Sequence, residues 1–512
     1  MSIATVSTAR TFAALSARGA FAVLTFGACA QRTVPAAPAP EVVVSAPERR
    51  MTPAMPMVDM SAPPVLAPVS PLTLPAVVTR TLPNGLRLLI VEHHELPIAD
   101  FSLIIGTGGE ADPARHSGLA GVTANMLEEG TRTRSALELA DQTGFLGVSL
   151  SAGSSWDQSA ISMHTPTVQL DSALAIMADV ALNPAFPRAE LERMRTRRLT
   201  SLLQLKDRAP DIANRAFASL VYGPAHPYGR PLAGTEASMK AITRSDLERF
   251  YATYYRPNNA TMIVVGDVSA DDIERRVTAL FGGWKRAKVP VAKYGALPSR
   301  SGTTVYLIDK PGAPQSSFRI GLVGAPRSTD DYFALEVMNT ILGGSFTSRL
   351  NNNLRETRGF TYGAGSRFAL RREAGPFTAS AEITGTKTDS ALAEFMREFT
   401  SILDTVPESE LTKAKRYIQL QLPGEFETTQ DIAGKLLPVA VYGLPLDYYN
   451  SYAQRVSEVT QSDVQRVARR YVRSGELVVV IVGDRKLVEP GLRASKVGAL
   501  ELRDIEARPI PR

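Results

Sequence analysis

The chain has 512 residues, with 57 Lys and Arg against 51 Asp and Glu for a formal balance of +6, and 44% of it is apolar. That composition excludes a disordered or fibrous protein, and the small, dispersed charge excess gives no footing for nucleic-acid binding. One cysteine excludes a disulfide framework and a thiolate zinc site, five histidines leave few ways to build a metal centre, and no uncharged apolar run approaches the roughly twenty residues of a membrane span.

Residues 1–29 read as an export signal. No acidic residue precedes Glu41, Arg10 and Arg18 lie ahead of the apolar run 20–26, and Gly27, Ala28 and Cys29 follow it. Cys29 stands where a lipoprotein signal carries its acylated residue, although Phe26 takes the place of the usual aliphatic side chain. The other reading is a plain signal peptide with an incidental cysteine. Both imply export, and a cysteine-free mature protein suits an oxidising compartment. The expected location is therefore the periplasm, with an outer-membrane lipid tether through Cys29 as the only membrane contact. Residues 30–78 follow as a Pro/Ala-rich tether, with eleven prolines between Pro35 and Pro75.

Folded structure is expected from Thr79. Residues 82–92 predict a turn and strand, and 101–105 a second strand. Helical spacing runs over 117–127, 135–144, 167–182 and 188–205. A buried strand and a Gly-Asp turn over 258–267 close the first half. The second half repeats the first: Thr243 to Leu247 matches Thr460 to Val464, Tyr254 matches Tyr471, and Ile263 to Asp267 matches Val480 to Asp484, each 217 residues apart. One offset shared by three segments predicts a duplicated α+β domain, each copy a mainly antiparallel sheet packed with helices. The boundaries are expected at 79–290 and 301–490, with a C-terminal tail over 491–512. Strands grouped with helices, without strict βα alternation, argue against a Rossmann or barrel fold.

The motifs carry a family resemblance. Leu82 to Leu86, Gly106 to Gly109, Ser117 to Ala120, Met126 to Thr131, His226 to Pro231 and Tyr254 to Asn259 stand in the order and spacing of the zinc peptidases typified by insulinase, pitrilysin and mitochondrial processing peptidase. The resemblance covers nearly all of 79–488 and implies two homologous domains forming half of a clam-shell chamber. In that family a helix carries His-x-x-Glu-His, because imidazoles one turn apart share a zinc and the glutamate polarises its water. The positions here are Gly121, Ala124 and Asn125, and the third ligand, a glutamate, aligns with Leu202; no glutamate lies between Glu192 and Glu236. No cofactor is therefore expected in this chain.

Other residues do not replace the lost ligands. His93 and His94 are adjacent on a strand and point to opposite faces. His116, His164 and His226 are isolated, His226 reading as a turn residue. Glu128 and Glu129 read as surface carboxylates, and no Gly-x-Ser-x-Gly elbow is present.

Residues 343–362 resemble the family's second-domain signature, whose Arg and Tyr, seven apart, face the zinc across the chamber and bind the substrate carbonyl. They match Arg355 and Tyr362. Without the resemblance, Arg355 reads as a helix-end residue paired with Glu356 and Tyr362 as core. The family also adds substrate backbone to a sheet edge; the candidate edge is 148–154, where Gly147, Ala152 and Gly153 leave room. A chain lacking the metal half and keeping the carbonyl-binding half is expected to be a non-catalytic subunit of an exported heterodimeric zinc endopeptidase acting on peptides. Its homologous partner would hold the zinc on His-x-x-Glu-His. The alternatives are a structural or peptide-binding protein of the same fold and a stand-alone enzyme of unrelated chemistry.

Overall fold

The computed structural model describes residues 74–510. The export signal with Cys29 and nearly all of the tether lie outside the described residues.

Each half builds a six-stranded sheet. The first contains β1 (Val78–Thr81), β2 (Arg87–Glu92), β3 (Ile98–Ile105), β4 (Ser149–Ser154), β5 (Ser159–Pro166) and β6 (Ala260–Gly266), in the order β1-β2-β6-β3-β5-β4. The second contains β7 (Thr304–Asp309), β8 (Gln315–Val323), β9 (Thr361–Phe368), β10 (Pro376–Thr384), β11 (Val478–Gly483) and β12 (Ala499–Arg503), in the order β12-β7-β11-β8-β10-β9. Strands β2, β3 and β5 begin at 87, 98 and 159, and β7, β8 and β10 begin 217 residues later at 304, 315 and 376. The pairing is antiparallel except where β6 lies beside β2 and where β11 and β12 flank β7. The fold is therefore α+β, as expected.

The duplication extends to caps. Thr243 and Asp246 close a reciprocal box at the start of the helix Arg244–Tyr254, and Thr460 and Asp463 do the same for Gln461–Tyr471. The centrally placed β6 and β11 are buried along their whole length, which is why both read as unbroken apolar runs. Gly266 ends β6 because a Cβ there would lie 2.3 Å from the Ile98 carbonyl oxygen.

The copies differ at one sheet edge. The first borrows its outer strand, β1, from the start of the domain, and the second borrows β12 from the far C-terminus. Residues 491–503, expected to begin a tail, instead finish the helix Arg485–Ser495 and supply β12. No helix or strand lies between Phe281 and Thr304, where the junction was expected.

Each sheet buries one face against its own helices and the other against a helix of the opposite half. Ile432, Leu436 and Val439 of the helix Thr429–Tyr442 cover Leu89, Ile104, Ile263 and Val265 of the first sheet. In return, Ile212, Ala216 and Phe217 of the helix Ala209–Tyr222 cover Tyr306, Ile308, Val478 and Val480 of the second. This exchange fuses the halves into one unit. Asp157, buried at the seam, accepts hydrogen bonds from the Tyr228 hydroxyl at 2.7 Å, the Tyr442 hydroxyl at 3.0 Å and the Arg372 backbone N–H at 2.8 Å.

Candidate functional site

The degenerate helix Leu119–Asn125 is held at its start by the buried carboxylate of Asp112, which accepts from Gly118 N–H at 2.6 Å and Ala120 N–H at 2.8 Å. Its Gly121 and Asn125 face what sequence alone does not reveal: the guanidinium of Arg198, from the helix Arg188–Leu205. A Cβ on Gly121 would lie 3.7 Å from Arg198 Nη2, so the glycine leaves the space the guanidinium fills. Arg198 Nη2 donates a short hydrogen bond to Asn125 Oδ1. The opposite end of the same amide, Asn125 Nδ2, donates to the Ala152 carbonyl on β4 at 2.7 Å. Ala124 is fully buried, and Leu202, one turn beyond Arg198, belongs to the apolar core of the first half.

These residues do not fit a zinc ion. Glycine, alanine and leucine offer no ligand atom, an imidazole at position 121 would meet the guanidinium, and a resident cation opposes a second one. Among the described residues no group of three or more His, Cys, Asp or Glu side chains could hold a metal. Burial pushes the Arg198 guanidinium below its ordinary pKa, and Arg197 adds to the effect. Among the described residues Arg198 makes no ion pair with a carboxylate.

The two glutamates expected at the surface are drawn inward. Glu128 accepts the Ala152 N–H in a short hydrogen bond, and burial raises its pKa, with a further rise from Glu129. Glu129 is only 13% exposed and pairs with Arg193 and, at 2.8 Å, with Arg197. Asn125, Glu128, Glu129, Arg197, Arg198 and Ser201 are among the residues lining a cavity of about 350 Å³.

The candidate edge strand β4 is only partly open. Gly147 caps the helix Ala136–Leu146 at φ +65°, and Cβ atoms at Gly147 and Gly153 would meet nothing within 4 Å. Ala152 differs, because both of its outward backbone groups are taken by Glu128 and Asn125.

The histidines diverge. His94 Nδ1 lies 2.7 Å from Asp267 Oδ1, whereas the closest carboxylate contact of His93 is Glu95 at 4.0 Å. His226 accepts the Tyr228 N–H and holds the turn Pro227–Gly229. His164 Nδ1 meets Asp100 Oδ1 at 3.0 Å, and Asp100 Oδ2 accepts from the Thr429 hydroxyl at 2.5 Å. That pair thus helps fasten the crossing helix Thr429–Tyr442 rather than completing a Ser-His-Asp site.

The second candidate group is built from a π-helical turn and a bulge. Arg355 lies in the π-helical segment Asn352–Thr357, and Gly359 at φ +64° reverses the chain into β9. Where β9 pairs with β10, Thr361 faces Ile383 and Ala364 faces Ala381, so Tyr362 and Gly363 share the single residue Glu382. Such a bulge re-aims a side chain. Tyr362 accordingly stands 91% exposed, not in the core. Arg355 stacks over the Phe346 ring at 4.5 Å and places Nε 3.4 Å from Glu356 Oε1.

Arg355 and Tyr362 line one cavity of about 460 Å³ together with Arg319, Asn351 and Glu382. Arg319 was missed in the sequence. Its signal was a charged residue between Phe318 and Ile320 in an apolar strand. Its guanidinium bonds Asn214 of the first half at 2.6 Å, the Phe318 carbonyl at 2.6 Å and Glu382 at 3.2 Å. No residue lines both this cavity and the one at Arg198.

Residues 87–236 match the family described as Insulinase (Peptidase family M16), and residues 241–418 match the description Peptidase M16 inactive domain. An uncharacterized zinc protease of Mycobacterium bovis is 26% identical over 422 residues, 81% of this chain and 95% of the relative. A solved structure from Pseudomonas fluorescens, described as a peptidase M16 inactive domain, is 28% identical with a TM-score of 0.75, covering 80% of this chain and 98% of that one. A protease from Helicobacter pylori shares the fold at 21% identity and a TM-score of 0.76, over 80% of this chain and 100% of its own.

Proposed function

We propose that this chain, which belongs to the insulinase (M16) family of peptidases, works as the non-catalytic subunit of an exported zinc endopeptidase. In this reading a homologous partner carrying His-x-x-Glu-His holds the zinc and its activated water. This chain contributes a wall of the peptide chamber and the side chains of Arg355 and Tyr362. A guanidinium keeps its charge and offers several donors, and a phenol offers one directed donor. Both suit the negative charge that develops on a scissile carbonyl oxygen.

The observation that carries the reading is a contrast within one chain. The zinc positions are filled by a guanidinium, an amide and apolar side chains, whereas Tyr362 is held out of the core by a bulge in the same cavity as Arg355. No described helix is long and apolar enough to cross a membrane; in this reading the export signal takes the chain to the periplasm and an acyl group on Cys29 tethers it to the outer membrane.

The test is purification from the native host with metal analysis of what accompanies the chain. We expect no stoichiometric zinc on the chain alone, zinc on the companion, and peptidase activity that rises when the two are mixed. Arg355→Ala should remove about 10²–10³-fold of that gain. A second reading, a peptide-binding or structural protein of this fold, draws on the engagement of Arg355 with Phe346 and Glu356 inside its own chain. It predicts the same activity with and without Arg355.

A further inference from the structure

The metal half of the site is rebuilt, not vacant, and what stands there is a fixed cation beside a sheet edge. Arg198 spends one nitrogen on Asn125 Oδ1. Among the described residues no carboxylate pairs with it, and it also lines the cavity of about 350 Å³. The two nearby glutamates are committed elsewhere, Glu128 to the Ala152 N–H and Glu129 to Arg193 and Arg197. A half-buried planar fork of donors at the wall of a cavity is the arrangement that grips a carboxylate with two parallel bonds.

The edge strand limits which carboxylate can arrive. In an antiparallel sheet the backbone groups of alternate residues point outward from an edge strand. At Ala152 both outward groups are occupied, its N–H by Glu128 and its carbonyl by Asn125. A peptide added to β4 cannot continue its pairing past that residue, although Gly147 and Gly153 leave space beside the strand. The peptide has to stop where Asn125 and Arg198 stand.

We propose that the former metal site of this chain is a carboxylate subsite, in which Arg198, positioned by Asn125 in the space left by Gly121, binds the C-terminal carboxylate of a peptide lying against β4. This deepens the reading above and rests on it for the class of ligand. It assigns the chain a preference for peptide ends, such as those that proteolysis releases.

The experiment uses the full chain without any partner and three N-terminally labelled octapeptides, read by fluorescence anisotropy. One has a free C-terminal carboxylate and no acidic side chain, one is its C-terminal amide, and one is an amide with an internal glutamate. We expect the free acid to bind about ten- to a hundred-fold more tightly than the plain amide, the margin of a charge-assisted pair. The internal glutamate should recover little of it. Arg198→Gln should erase the difference, and Arg198→Lys should keep part of it. Equal binding of acid and amide, binding of neither, or a preference that survives Arg198→Gln in a folded protein would overturn the proposal. An internal glutamate that restores the affinity would overturn the assignment to a chain end. The wild-type comparison needs no variant, so a failure of Arg198→Gln to fold leaves the test intact. It is also independent of the partner: activity untouched by Arg355→Ala would sink the shared-site reading without altering these affinities.

Discussion

Replacing Tyr362 by Phe removes one oxygen atom and separates a functional role from a structural one. The side chain is 91% exposed, and among the described residues its hydroxyl makes no hydrogen bond. It therefore contributes almost no buried area, and a surface change of this kind shifts stability by less than about 0.5 kcal/mol. If its hydroxyl donates to a developing oxyanion in a shared site, the same change costs about 2.7–4 kcal/mol in the transition state, or roughly 10²–10³ in rate. Those two magnitudes do not overlap. The assay pairs urea unfolding of the isolated chain with peptide cleavage by the chain mixed with the zinc-bearing partner proposed above. The expected outcome is an unchanged unfolding midpoint with partner-stimulated cleavage lowered by at least two orders of magnitude. Cleavage within two-fold of the parent would refute the reasoning, and a lowered midpoint would show that Tyr362 stabilises the fold in some way its exposure hides.

Further outcomes follow from other parts of the molecule. Phe217 of the crossing helix Ala209–Tyr222 is buried on the second sheet, so Phe217→Ala should cost about 3–5 kcal/mol, read as a fall in the urea midpoint of one cooperative transition. Burial pushes the Glu110 carboxyl up to about 8, with Asp157 adding to the rise. The folded state thus holds this proton more tightly than the unfolded chain, so stability should decline as pH climbs from about 4.5 to about 8, and Glu110→Gln should flatten that slope. Restoring Gly121→His, Ala124→Glu, Asn125→His and Leu202→Glu should give no stoichiometric zinc by mass spectrometry while Arg198 remains, and zinc only when Arg198→Ala is added. Uptake in the presence of Arg198 would show that the guanidinium does not hold the metal position.

Much of this architecture was legible because the duplication preserved local chemistry. The Thr-x-x-Asp caps at Thr243 and Thr460 and the apolar strands before Gly266 and Gly483 are short-range features that a 217-residue offset exposes. Long-range choices left no such trace. The two crossing helices, 209–222 and 429–442, were not among the elements expected from sequence, and no local pattern could show that each covers the sheet of the opposite half. The source of the second sheet's outer strand was equally hidden, since β12 follows a helix containing Pro490 and reads as a tail.

The site divided along the same line. Absence of the zinc ligands is a statement about residue types and can be read directly, whereas the group that replaced the metal depends on partners 73 and 77 residues away in sequence, Asn125 and Gly121. An arginine on a helix with neighbours Arg195 and Arg197 reads as part of a solvated face. Its burial becomes visible only once the two helices are packed.

Between the helices that carry the zinc positions stands a guanidinium, with an open cavity beside it. Gly121 supplies room, Arg198 supplies the cation, and Asn125 can serve both neighbours because its amide accepts at one end and donates at the other. An imidazole at position 125 in its charged form could only donate, and so could not accept from the guanidinium. Gly121, Asn125 and Arg198 thus fit one another as a set. The same amide ties this set to the closure of the edge at Ala152, whose carbonyl accepts from Asn125; under the function proposed above, Arg355 and Tyr362 would serve a chamber whose metal comes from another chain.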